Sequence, residues 1–145
     1  MTVHLIKLCV GADSIEDLQD WIDRTLAARR AGGRPVEQIH TTRMVPKRRD
    51  EILDGGSLYW VIKGSVCVRQ RLLDIRSVVG SDGIGRCELV LEPILVPTER
   101  RPRRPFQGWR YLEAKEAPPD LAGRTLDGAA PPEEMRTELA ELGLL

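Results

Sequence analysis

The amino-acid sequence predicts an α+β domain: a strongly bent, mainly antiparallel sheet or partly open barrel, with one main helix near the N-terminus and a short one at the C-terminus. Three observations predict it. Leu58–Ile75, LYWVIKGSVCVRQRLLDI, reads as a hairpin turning at Lys63-Gly64. Residues 14–30 place apolar side chains at helical spacing. Residues 86–92 alternate with period two, as a strand buried on one face does. A chain of 145 residues suits a single core.

Taken in order, Val3–Val10 is a mostly apolar strand broken by Gly11-Ala12. Asp13, three residues before Glu16, is expected to cap the following helix as half of a capping box. Ile15, Leu18, Ile22 and Leu26 form its apolar stripe. Acids crowd its first turns and Arg24, Arg29 and Arg30 its last, which suits the helix dipole. Gly32-Gly33 ends it. Glu37–Val45 reads as a second strand, stopped by Pro46. Residues 47–53 suit two helical turns closed by Asp54-Gly55-Gly56, although Lys47, Arg48 and Arg49 oppose the dipole at its start.

In the hairpin, Leu58–Ile62 is apolar on both faces, as a strand buried on both sides requires. Arg69 and Arg71, two apart on the next strand, leave the sheet on one face. In residues 86–92, Cys87, Leu89 and Leu91 point one way and Arg86, Glu88, Val90 and Glu92 the other. The prolines and arginines of residues 98–105 favour an extended, polyproline-like segment. Phe106–Leu112 is expected to be a last strand with Gly108 as a bend or bulge. Residues 1–112 should then form the domain. Residues 113–145 should form an acidic, Pro/Gly-rich arm, ending in a short helix with Met135, Leu139 and Leu142 on its apolar side.

The six aromatic residues leave the core to Leu, Ile and Val. Three cysteines, Cys9, Cys67 and Cys87, cannot all pair within the chain and lack CxxC spacing. They fit small buried hydrophobes in a reduced, cytoplasmic setting. No run approaches the ~20 apolar residues that a bilayer demands, and the N-terminus lacks the pattern of a secretory leader. Net charge is zero but unevenly laid out. Residues 1–23 carry one Lys against five acids, residues 24–111 eighteen Lys/Arg against nine acids, and residues 112–145 three against eight. A basic middle between acidic ends points to a cationic surface, or to a tail that neutralises one.

No catalytic motif stands out. His4, His40 and the cysteines lack metal-ligand spacing, and Gly80–Gly85 lacks the lysine and helix of a phosphate loop. No cofactor is implied. The basic and aromatic residues are the better lead. Guanidinium forks match phosphate oxygens, and exposed rings stack on unpaired bases. Lys47, Arg48, Arg69, Arg71, Arg101, Arg103, Arg104 and Arg110 are the candidate phosphate contacts, with Trp109 or Tyr111 as the stacking ring. The competing reading makes Trp109 and Tyr111 core residues, because an aromatic-poor chain needs its rings inside.

The runs GGSLYWVIKGSVCVRQRLLDI and RPFQGWRYLEAKEAPPDL resemble a family of short bacterial proteins, chiefly alphaproteobacterial, known only as a domain of unknown function. The resemblance covers nearly the whole chain and implies no activity or site residues. The layout, a short helix before a long central hairpin, is also similar to PUA-like RNA-binding folds, an analogy of arrangement. The expected function is non-catalytic binding of nucleic acid, RNA before DNA. One alternative is a small enzyme for a phosphorylated or acidic metabolite, which needs a concave pocket where Arg69 or Arg71 converges with His40, Cys67 or an acid. The other is a protein-interaction module docking through Pro102–Pro105 or the terminal helix.

Overall fold

A computed structural model describes residues 2–121. It is a mixed α/β structure built on one mostly antiparallel, open sheet. The elements are β1 (Val3–Leu8), α1 (Ile15–Ala31), β2 (Gln38–Thr42), α2 (Arg49–Leu53), β3 (Ser57–Ile62), β4 (Ser65–Val79), β5 (Gly85–Leu91), β6 (Val96–Pro102) and β7 (Trp109–Glu113). A single 3-10 turn follows at Ala114–Glu116. The C-terminal helix expected from the sequence lies outside the described residues.

The central hairpin forms as its sequence indicates. Lys63 (φ 49°) and Gly64 (φ 79°) make a two-residue turn with both residues left-handed, which matches the twist of the strands it joins. β4 is long enough to serve two groups of partners. Residues 65–71 pair with β3 and residues 65–69 with β6, while residues 72–79 pair with β5. Irregularities at Val66/Val68 and Leu72/Asp74 bend it between these partners. The strand order is β2-β5-β4-β3-β1-β7, with β6 beside the first part of β4. Only β1 and β3 pair in parallel among the described strands, through the crossover that contains α1, β2 and α2.

Curvature brings the two ends of the sheet together without a ladder between them. Trp109 Nε1 on β7 donates to the Met44 carbonyl at 2.8 Å, and Tyr111 Oη accepts from the Lys47 amide at 2.8 Å. These bonds tie the segment after β2 to the opposite edge strand. α1 covers the concave side with Ile15, Leu18 and Ile22. There they join Leu5, Leu58, Trp60, Leu72, Leu89 and Trp109 in the main core. On the convex side Ile6, Tyr59, Val61, Val66 and Leu112 form a second core, capped by Phe106 and Ala117. β3 is therefore buried on both faces, as its uninterrupted apolar run requires.

Several details differ from the sequence reading, beginning with the bounds of two strands: β2 ends at Thr42, and β7 starts only after Gly108. The α1 cap is Ser14, whose side chain accepts from the Asp17 amide at 3.0 Å, while Asp17 accepts from the Asp13 amide at 3.0 Å. Ser14 thus makes one half of a capping box, and the return bond from Asp17 reaches the amide one residue before the cap. Val90 is buried although the alternation placed it outward, because the second half of β5 is covered on both faces. The proline-rich arm is a strand as far as Pro102. Pro97 and Pro102 are tolerated because β6 lies at an edge of β4, where a missing N–H leaves few ladder bonds unmade. Its other side is lined by residues 119–121 through Glu99 N to Pro119 O and Leu121 N to Pro97 O, each 2.9 Å.

Candidate nucleic-acid interface

The structure divides the candidate cations into two groups. Arg48, Arg69 and their neighbour Arg49 belong to carboxylates of the same chain. Arg48 pairs with Glu51 and, at 2.8 Å, with Glu113. These bonds, Glu113 before Glu51, hold its pKa above the usual arginine value. Arg49 reaches Asp74 at 2.8 Å and the Ile75 carbonyl at 3.0 Å. The cations that oppose the α2 dipole thus fasten this helix to β7 and β4.

Arg69 makes a two-point pair with Asp120, at 2.8 and 2.6 Å, and donates to Ser57 Oγ at 3.0 Å. Hydrogen bonding from Arg69 to Asp120 raises the arginine pKa, against the opposing effect of partial burial. The pair holds residues 117–121 against β6 and the convex face. Arg69 is only half-buried, and its partner lies 51 residues away in the chain.

The second group makes no ion pair with any described carboxylate: Lys47, Arg71, Arg101, Arg103, Arg104 and Arg110. Two of these, from separate segments, converge on one ring. The Arg103 and Arg110 guanidinium carbons lie 5.6 and 5.1 Å from the centroid of Phe106, within the range of attraction between a cation and a ring face. Arg103 comes from the chain leaving β6, fixed by its amide bond to the Gly64 carbonyl at 2.8 Å. Arg110 comes from β7, alternating outward between buried Trp109 and half-buried Tyr111. Arg101 is fastened nearby, to the Glu116 carbonyl at 3.3 Å. Arg104 is exposed between Arg103 and Phe106 in the chain. Arg71 projects from the far part of β4, opposite Ser57.

Arg110 also borders a groove of about 340 Å³ lined by Met44, Val45, Lys47, Trp109 and Tyr111. Its walls are apolar, with Met44 53% and Val45 41% exposed, and its rim carries Lys47 and Arg110. Trp109 is only 4% exposed, and its ring packs edge-to-face on Tyr111 at 5.0 Å. It is a core residue that pins the groove. The accessible rings here are Phe106 and Tyr111.

Arg69 meets an acid, Asp120, as a small-enzyme reading requires, but His40 and Cys67 lie elsewhere. His40 faces a cavity with Lys7 and Cys9, whereas Cys67 lines a separate one with Asp13, Ser14, Lys63 and Arg100. Neither cavity is lined by Arg69 or Arg71. Burial pushes the Cys67 thiol up to about 11, so it is protonated at neutral pH. No group of three or more potential metal ligands occurs among the described residues. None of their helices is long and apolar enough to cross a membrane.

The family model for proteins of unknown function, DUF1489, matches residues 5–145. The chain belongs to the DUF1489 family. No curated protein and no solved structure matches it. The chemistry that this DUF1489 chain offers is that of the side chains just described.

The histidines supply one test of the structure. Burial, reinforced by the Lys7 charge, lowers the His40 pKa from its usual value to about 4. His4 is lowered in the same way by burial and then by Arg69. Both are neutral in the fold at pH 7. As pH falls below ~6.5, the unfolded chain takes up these protons first and the native state is disfavoured. His40 alone should remove up to about 3 kcal/mol of stability between pH ~6.5 and ~4. Urea unfolding across that window should show this decline, and His40→Gln should make it shallower. An unchanged slope in the variant would mean that His40 is not held neutral.

Proposed function

We propose that this chain binds single-stranded nucleic acid, RNA in preference to DNA, without catalysis and in the cytoplasm. The observation that carries the reading is the meeting of Arg103 and Arg110 at Phe106. Arg110 continues from there into the groove bordered by Lys47. Lys47 thereby joins Arg103 and Arg110, which lie close to one another in the chain but far from it, and none of the three is tied to a described carboxylate. Phosphates would run along Lys47, Arg110, Arg103 and Arg101. A base would enter the apolar groove beside Tyr111 or stack at Phe106. Rings and guanidinium planes favour unpaired bases over a duplex, whose bases are already stacked. A curved sheet with a long central hairpin resembles the layout of PUA-like RNA-binding folds, which supports the reading by analogy alone.

Fluorescence anisotropy with a labelled oligouridine tests it. Four phosphate contacts on a single strand imply that affinity drops roughly 50-fold between about 50 and about 200 mM salt. The double variant Arg103→Ala/Arg110→Ala should bind at least about 10-fold more weakly and show a smaller salt slope. Arg86→Ala removes a cation already paired with Asp82 at 2.7 Å and should change nothing. Absent binding, or binding indifferent to salt, would remove the proposal.

A further inference from the structure

A second concavity lies on the opposite side of β1 from the Phe106 cluster. The end of β1, the turn into α1, the first turns of α1 and β2 enclose about 330 Å³. Its walls include Lys7, Cys9, Leu18, Trp21, His40 and Trp60. Three features make it more than a packing gap.

The first is an unmet hydrogen-bonding atom. His40 Nε2 is buried and has no partner among the described residues. A buried polar nitrogen without a partner costs about 1–3 kcal/mol, and native structures contain few of them. The ring packs edge-to-face on Trp60 with centroids 5.2 Å apart, which holds its plane. Trp60 is itself fixed by its Nε1 bond to Gln70 at 2.9 Å.

The second is charge. The lining contains one ammonium, Lys7, and no carboxylate. In the strand register Lys7 lies opposite Trp60 on one side and Trp109 on the other, so its stem runs between two indoles. The third is the mouth. Val10 is 89% and Trp21 44% exposed there, a large apolar surface left in water. A flat apolar body would cover it, and indole faces suit an aromatic one.

We infer that this cavity binds a small aromatic carboxylate, with the ring against Trp21 and Trp60, the carboxylate at Lys7, and a hydrogen bond to His40 Nε2 that forms once a small shift of the imidazole opens this buried atom to the cavity. The site uses none of the cations assigned to nucleic acid. Either reading can fail while the other stands.

The test uses the full chain and two matched probes, 2-naphthoate and its neutral analogue 2-naphthamide. Binding is followed through the indole N–H resonances of the three tryptophans. Naphthoate should shift Trp21 and Trp60 and bind at least about 10-fold more tightly than the amide. Lys7→Met should abolish that preference while leaving amide binding in place. His40→Phe should weaken both probes. If it disturbs folding, Lys7→Met alone decides, because its side chain keeps the apolar stem between the indoles. Arg103→Ala/Arg110→Ala should leave both affinities unchanged. The inference is overturned if neither probe binds below about 10 mM, if the amide binds as well as the acid, or if Lys7→Met retains the preference.

Discussion

Replacing Gly56 with alanine will destabilise the protein by about 3 kcal/mol or more, among the largest effects of any single methyl group in this fold. Gly56 lies where the end of α2, the start of β1 and the middle of β4 meet. Its amide donates to the Ile52 carbonyl at 2.7 Å, and its own carbonyl accepts from the Leu72 amide at 3.0 Å. A Cβ at this position would stand 2.3 Å from Ile52 O and 2.5 Å from Val3 O. Both obstacles are backbone, and the side chains of Ile52 and Val3 are fully buried. Relief therefore requires moving α2 or β1 and breaking the bonds that hold Gly56. Gly85 is the control, since a methyl group there would meet nothing within 4 Å. Gly85→Ala should change stability by less than about 0.5 kcal/mol. Equal unfolding midpoints for the two variants in urea would show that the three-way contact is looser than these distances require.

The Asp54-Gly55-Gly56 run illustrates what a sequence can and cannot carry. It marks the end of α2, and that end is where expected. The two glycines nevertheless serve different needs. Gly55 is left-handed, with φ 84°, which is a local property of the turn. Gly56 is demanded both by the Ile52 carbonyl four residues back and by the approach of β1, 53 residues away, and no local pattern reveals the second. The same distinction runs through the fold. The hairpin, α1 and the alternation of β5 are written in nearby residues and are legible there. β6 is not, because prolines that suggest a polyproline arm are equally suited to an edge strand, and only the partner strand decides.

The candidate site divides along the same line. That the middle of the chain is basic can be counted. Which cations are neutralised cannot, because Arg48 and Arg69 find carboxylates 65 and 51 residues away. Trp109 suits both a stacking ring and a core residue on sequence grounds, and its burial is decided by the curvature that brings Met44 to it. Phe106, the ring on which Arg103 and Arg110 converge, lies in the basic-aromatic stretch but has no feature there to distinguish it from its neighbours. His40 is visible only as an isolated histidine, since Lys7, Trp21 and Trp60 join it from three other elements.

Gln70→Leu should be the second severe substitution, and it tests the polar centre of the main core. Gln70 is fully buried, as is Gln38 at 1% exposure. Gln70 Nε2 donates to Gln38 Oε1 at 2.6 Å and to the Glu92 carbonyl at 3.0 Å. Its Oε1 accepts from Trp60 Nε1 at 2.9 Å and from Gln38 Nε2 at 3.3 Å. One side chain thus satisfies β2, β3 and the end of β5 together. Leucine has similar bulk but leaves the Gln38 amide, the indole N–H and a carbonyl without this partner. At about 1–3 kcal/mol for each buried group left unmet, the expected loss is about 4 kcal/mol. Position alone hints at the residue's importance: Val68 and Leu72, two residues to either side, are buried. A lone amide between two core residues needs partners on other strands. Adding Gln38→Leu to Gln70→Leu removes one of the stranded groups, so the double variant should cost at least about 1 kcal/mol less than the sum of the singles. Near-ultraviolet circular dichroism should change with Gln70→Leu even below the unfolding transition, because Trp60 loses the bond that fixes its ring. Additive costs and an unaltered tryptophan signal would mean that the glutamines share a space without supporting one another.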